Sequence, residues 1–242
     1  MKNLIAAIQF ITILPLGRSK PFDPAGMVPF FPVVGLLIGL MVVILDRLFL
    51  LVWPVTVAAL LDVFVLIAVT GAFHLDGLGD SADGLYGHRS REDALKIMKD
   101  SRIGVMGLVA IICCLAAKWA GIAGLEHSRE LLLLIIPAYS RGSILFGVRL
   151  LPYGRSGGGT GMSFFNKKYR IYSFWGLIPP VVLSIFLGWQ GVLLNIAFVF
   201  IVFNVLYYYK RKINCITGDM LGGMTEITEA GIFLFVSMGG IF

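Results

Sequence analysis

Apolar runs long enough to cross a bilayer recur along the whole chain, at about 28–46, 48–74, 103–125, 131–150, 171–188, 191–209 and 220–242. A crossing helix needs about 20 mostly apolar residues, so the pattern predicts an all-α, polytopic membrane protein with about seven transmembrane helices. Ile171 to Tyr209 carries no charged residue, and Gly188-Trp189-Gln190-Gly191 supplies a turn between two crossings. Pro54 and the pair Pro179-Pro180 fall inside spans, which lipid tolerates where neighbouring helices satisfy the freed carbonyls. The first run, Leu4 to Leu16 behind Lys2, resembles a signal-peptide core, but no small-residue cleavage pattern follows it. Arg18, Lys20 and prolines come next, so a short interfacial or half-inserted helix is expected there. No linker or repeat interrupts the pattern, and residues 1–242 read as a single integral-membrane domain.

Composition strengthens this reading. The chain is 58% hydrophobic and only 14% charged, where soluble domains carry about 25% charge, and its mean hydropathy is +0.89. A soluble enzyme, a disordered tail and a coiled coil are excluded. The net charge of +6 has a topological origin, because cytoplasmic loops are enriched in Lys and Arg. With the N-terminus inside, Lys2, Arg18 and Lys20 fall on the cytoplasmic side, as do Arg89, Arg91, Lys96, Lys99 and Arg102. Arg149, Arg155, Lys167, Lys168 and Arg170 follow on that side, and then Lys210, Arg211 and Lys212; only Arg47 and Arg129 fall opposite. The partner implied is the lipid bilayer, with no nucleic acid. Cys113, Cys114 and Cys215 make neither a disulfide framework nor a metal-ligand spacing.

The informative acids close the second long run, in Phe73-His74-Leu75-Asp76-Gly77-Leu78-Gly79-Asp80-Ser81-Ala82-Asp83-Gly84. On a helix Asp80 falls about 40° from Asp76, and Asp83 about 20° to the other side, so all three share one stripe. Like charges at this spacing repel, and a hard divalent cation held by carboxylate oxygens would relieve them. Asp76, Asp80 and Asp83 are therefore the candidate metal ligands; the competing reading is a solvated helix turn with Asp caps. Gly77 and Gly84 leave room for an anionic group. Lys99 and Arg102 are candidate phosphate clamps, whereas Arg89, Arg91 and Lys96 read as topological anchors. His74 is either a general base or a hydrogen-bonded residue at the interface.

Arg141 lies within a span, where a lone guanidinium needs a partner. Either the acidic face of the last run, with Asp219, Glu226 and Glu229, or a substrate phosphate would serve, and the phosphate role is favoured because Gly142 permits close approach. Lys118 has no evident partner, and either snorkelling along its span or a buried pair is expected for it. The run Arg155-Ser156-Gly157-Gly158-Gly159-Thr160-Gly161 is a weak phosphate-loop signal and reads equally as a lid or a linker.

Together these blocks resemble the cobalamin synthase family, the adenosylcobinamide-GDP ribazoletransferases. The likeness rests on Gly71 to Gly84, on Ile97-Met98-Lys99-Asp100-Ser101-Arg102-Ile103-Gly104, on Ser140-Arg141-Gly142 and on Thr217-Gly218-Asp219-Met220-Leu221-Gly222. Gly79 and Ser81 stand where Ala and Thr are more usual, and Asn214-Cys215 replaces a more usual Gly-Gly. The resemblance implies transfer of the adenosylcobinamide-phosphate moiety of adenosylcobinamide-GDP to α-ribazole or its 5′-phosphate, releasing GMP, with Mg2+ required. It also implies a multi-pass protein of the cytoplasmic (inner) membrane whose active site faces the cytoplasm. Asp83, His74 and Arg102 are then the catalytic candidates, with Lys99, Arg102, Arg141, Asp219, Gly77 and Gly84 at the substrate. Asp80-Ser81-Ala82-Asp83-Gly84 also fits the DxxDG of phosphotransferases that use CDP-activated donors, but the downstream Asp pair of that motif is missing. A transporter using Arg141, Lys118 and the last run is the third reading. Self-association is left open.

The orientation is directly testable. In a background without Cys113, Cys114 and Cys215, Ser90→Cys and Gly157→Cys should react with impermeant thiol reagents only from the cytoplasmic side; labelling of either from outside would overturn the topology.

Overall fold

The computed structural model describes residues 2–16, 23–155, 161–166 and 169–238. Among these residues regular structure is helical, apart from one isolated parallel bridge between Tyr153 and Ile216. The chain runs through α1 (Lys2–Ile11), α2 (Pro24–Met27), α3 (Phe31–Phe49), α4 (Val55–Thr70), α5 (Phe73–Leu85) and α6 (Arg91–Ile97). It continues through α7 (Val105–Ala123), α8 (Arg129–Leu150), α9 (Ile178–Ser184), α10 (Trp189–Ile213) and α11 (Gly218–Val236).

The all-α polytopic architecture is the one the apolar pattern predicts, but fewer of its helices are long membrane crossings. Among the described residues four helices are long and apolar enough to span: Pro24–Phe49, Val105–Ala123, Arg129–Leu150 and Trp189–Ile213. A fifth arises if α4 and α5 count as one bent span, their axes meeting at 91°. The bend is made by Gly71 and Ala72, both left-handed, with φ of 60° and 58°. A β-carbon disfavours that region, so this corner is an imposed feature of the tertiary fold. The expected span over 171–188 is a series of short 3-10 and α turns (Ile171–Leu177, Ile178–Ser184, Ile185–Leu187); Pro179 and Pro180 remove two donors from any continuous helix. The last run forms α11, whose three acids set it apart from the lipid-facing spans. It packs against α5, α7, α8 and α10 and forms the axis of the bundle.

No hydrophobic force pulls helices together in lipid, so close backbone approach and polar pairing hold the bundle. The sequence Gly35-Leu36-Leu37-Ile38-Gly39 is a GxxxG motif on α3, and both glycines lie against the α8 backbone at Leu134 to Ala138. A methyl group at either glycine would overlap a carbonyl oxygen of α8. Beyond this crossing Arg129 of α8 donates to Asp46 of α3 at 2.7 Å and to Asp62 of α4 at 3.0 Å, with both acids buried. Arg47 pairs with Glu130 at 2.6 Å nearer the surface. The two arginines set apart by the charge pattern are thus both engaged by acids. The short α1 docks through Phe10, whose ring meets Phe31, Phe73 and Phe164.

Gly39→Leu should therefore prise α3 from α8 at a cost of about 1–3 kcal/mol. The check is the thermal unfolding midpoint in detergent, where no change would show that the helices do not touch there.

Candidate active site

The acid stripe lies on α5, just past the corner that turns this helix away from α4. Asp76 is exposed, while Asp80 and Asp83 are half-buried. Across from them is the first turn of α11, capped by the Thr217 hydroxyl, which accepts from the Met220 N–H at 3.2 Å. Gly77 permits the approach: a methyl group there would lie 2.6 Å from the Asp219 carbonyl oxygen. Asp80 consequently sits in the fields of Asp76, Asp219 and Asp83, with Arg155 as the opposing charge. A fourth carboxylate thus joins the stripe from a helix more than 130 residues further along the chain.

Asp83 has a different use from the metal ligand and base that its position on the stripe suggests. One of its oxygens accepts from the Gly104 N–H at 2.6 Å and the other from the Gly107 N–H at 2.8 Å. Gly104 is the N-cap residue of α7 and has no side chain to close that helix, so Asp83 caps α7 from a neighbouring helix and meets the positive end of its dipole. The three-carboxylate cage over Asp76, Asp80 and Asp83 is not assembled: among the described residues no three His, Cys, Asp or Glu side chains are placed to hold an ion by themselves. An open magnesium site is less demanding, since one or two carboxylates suffice when water and substrate phosphate complete the shell. Asp76 and Asp80, with Asp219 facing them, fit that donor set.

Arg155, which the sequence offers only as a cytoplasmic cation heading a weak phosphate-loop run, belongs to the site. The bridge between Tyr153 and Ile216, with the Gly154 N–H donating to the Ile216 carbonyl at 2.9 Å, draws this segment alongside the start of α11. Arg155 then pairs with the Asp219 carboxylate and donates to the Met98 carbonyl at 3.1 Å, while its buried Nε has no partner. The available signal was its place at the head of the glycine-rich run; the pairing itself spans 64 residues. Ser156 to Thr160 lie outside the described residues.

The remaining candidates divide. Lys99 and Arg102 are exposed in the loop before α7, and Arg102 is engaged by Asp100 at 2.6 Å. The same hydrogen bonds hold the Asp100 carboxyl down at about 2. Gly84 is closed off by α6, since a methyl group there would meet Met98 and the Ala94 carbonyl. The room expected for an anion at Gly77 and Gly84 is thus taken by α11 and α6. His74 lies two residues from Asp76 and so on the opposite side of α5. It is buried with its Nδ1 unpartnered, facing the bundle interior rather than the mouth.

The sequence profile described as cobalamin-5-phosphate synthase matches residues 3–237. The chain belongs to the cobalamin-5-phosphate synthase family. A relative from Alkaliphilus metalliredigens, named adenosylcobinamide-GDP ribazoletransferase, is 36% identical over 98% of this chain and 95% of its own length. Relatives of the same name from Chlorobaculum tepidum and Acetivibrio thermocellus are 35% and 34% identical, covering 98% and 95% of this chain and 96% and 94% of their own lengths. No solved structure matches the chain.

In this member of the cobalamin-5-phosphate synthase family the membrane-embedded charges form a separate cluster. Lys118 of α7 is 3% exposed and donates to Glu226 at 2.6 Å and Glu229 at 2.5 Å, both on α11. Arg141 of α8 is 1% exposed and pairs with the other oxygen of Glu229, which also accepts from Ser140 at 3.0 Å. Two cations thus meet two anions. Lys118, without an evident partner in the sequence, has two, and the acid that Arg141 meets is Glu229, Asp219 being engaged by Arg155. This neutral, enclosed arrangement accounts for the Arg141 guanidinium without a substrate phosphate.

Arg141→Ala should leave the buried cluster with two acids against the single Lys118 cation and destabilise the protein by up to about 3 kcal/mol, with partial recovery in Arg141→Ala combined with Glu229→Gln. Equilibrium unfolding of the two single variants and the double variant is the check; strictly additive losses would separate the pair.

Proposed function

We propose that this chain is an adenosylcobinamide-GDP ribazoletransferase, a multi-pass enzyme of the cytoplasmic membrane. It would transfer the adenosylcobinamide-phosphate moiety to α-ribazole or its 5′-phosphate and release GMP. The observation that carries the reading is the match to relatives of this name along nearly their whole length. The acids gathered along α5 and at the start of α11 suit the chemistry of that reaction. A ribazole hydroxyl attacks the phosphorus on the cobinamide side, and a new P–O ester bond forms. The bond to the bridging oxygen breaks, and GMP leaves with that oxygen. The hydroxyl proton passes to whichever mouth carboxylate, Asp76, Asp80 or Asp219, is left free of an ion, because Asp83 is occupied at α7 and His74 faces inward.

We further propose that Asp76, Asp80 and Asp219 are the residues that would hold magnesium together with the substrate diphosphate. When bound there, the ion supplies charge neutralisation for the diphosphate and the departing nucleotide. Arg155 is placed to take phosphate oxygens through its fork, and Lys99 and Arg102, exposed in the α6–α7 loop, would serve as further phosphate clamps. The basic loops at this end of the bundle support a cytoplasmic mouth, which suits a nucleotide substrate. The transporter reading loses its main support once Lys118, Arg141, Glu226 and Glu229 neutralise one another.

The test is GMP release from cobinamide-GDP and ribazole by the purified protein with magnesium. Asp76→Asn and Asp80→Asn should each abolish turnover while the protein remains inserted, and a chelator should silence the unmodified chain. Full activity in both variants, or indifference to chelation, would sink the metal assignment; no GMP release at all from the unmodified chain would sink the reaction.

A further inference from the structure

The α7 and α10 helices both pack on α11, and between them lies a cleft of about 700 Å³ floored by α5 and α11. Its lining is mostly apolar, with Leu78, Leu85, Met106, Ala110, Val205 and Ile227 among the wall residues. Leu78 and Leu85 lie on the side of α5 opposite Asp76 and Asp80, so the cleft is separate from the acid site. The helix faces that flank it expose Leu108, Val109 and Ile112 on α7 and Val199, Phe200 and Phe203 on α10. Such surfaces face hydrocarbon, and the cleft therefore opens to the bilayer interior.

Its mouth is marked by a collar of phenols and cations where α10 ends. Tyr86 and Tyr208 line the rim. Lys212 lies 5.8 Å above the Tyr208 ring and donates to the Gly87 carbonyl at 2.8 Å. Arg211 lies 5.8 Å above the Tyr207 ring, with Lys210 exposed beside it. Aromatic residues of this kind settle at headgroup depth, and clustered cations there attract anionic lipid. Ser81, about one turn inward from Leu85, lines the same cleft; it is 3% exposed and its hydroxyl has no partner. A buried hydroxyl that makes no bond within the protein is suited to an ester carbonyl.

We propose that the cleft between α7 and α10 is a binding site for one anionic diacyl phospholipid. An acyl chain lies against Ala110 and Val205, the glycerol ester lies at Ser81, and the phosphate lies against Arg211 and Lys212. The charge at the rim selects an anionic headgroup over a zwitterionic one, and the depth of the apolar lining selects a lipid over free phosphate.

Native mass spectrometry of the full chain, purified with equal phosphatidylglycerol and phosphatidylethanolamine, reads this directly. One phosphatidylglycerol should be retained. Replacing Lys210, Arg211 and Lys212 together by Gln should reduce its retention by about five-fold for each charge engaged. Ala110→Phe fills the cleft and should remove the retained lipid while helix content is unchanged. In the unmodified chain, a phosphatidylglycerol with a diazirine in its acyl chain should crosslink to peptides covering residues 106–114 and 204–209. Equal retention of the two lipids, unaffected by the triple substitution, would overturn the assignment. So would crosslinks spread evenly over α3 and α4, or a dimer that Ala110→Phe dissociates, which would give the cleft to a second copy of the chain.

Discussion

A lysine ammonium enclosed by hydrocarbon must find its counter-charge inside the protein, and Lys118 finds two. Its bonds to Glu226 and Glu229, with Arg141 closing the other side of Glu229, tie α7 and α8 to α11 at a single point. The desolvation of four charges is tolerable because they sum to zero and because Ser140 satisfies a further acceptor site. Three acids make α11 a poor span by itself; enclosed by its neighbours, it becomes the axis on which the others are hung. The position of the acid site follows from this, since the N-terminus of α11 is what brings Asp219 to Asp80 across Gly77.

The bilayer-facing architecture was legible in the sequence because apolarity is a property of each residue and needs no partner. The runs 103–125, 131–150 and 191–209 correspond closely to α7, α8 and α10. Hydropathy does not encode direction, however. The 48–74 run hides a right-angled corner because an alanine disfavours the left-handed conformation that Ala72 adopts, so nothing local announces the turn. The 171–188 run is mostly apolar, yet it divides into short 3-10 and α segments, with Pro179 and Pro180 in the first turn of α9.

The candidate site was legible to the extent that it is local. Asp76 and Asp80 share a stripe because of helical spacing alone, and the family blocks marked Asp219. Long-range partners left no such trace. The Asp83 carboxylate is committed to Gly104 and Gly107 because α7 begins with a glycine that cannot cap itself, which only the packing of α5 against α7 reveals. Arg155 reaches Asp219 because one bridge at Tyr153 aligns two distant segments. Family resemblance marks the chemistry, whereas packing decides which carboxylate performs it.

The order in which paired charges are synthesised carries its own consequence. Asp46 and Asp62 precede Arg129 by 83 and 67 residues, and Lys118 precedes Glu226 by 108. As the chain leaves the ribosome, each early charge enters or borders the membrane before its counter-charge exists. Until then it must be carried uncharged, held at the headgroup level or sheltered by the insertion machinery. Biogenesis of this protein thus ends late, when α11 arrives and neutralises what has been waiting. A chain truncated before Glu226 would display an orphaned lysine in the bilayer, the kind of signal by which a membrane quality-control protease tells an unfinished protein from a complete one.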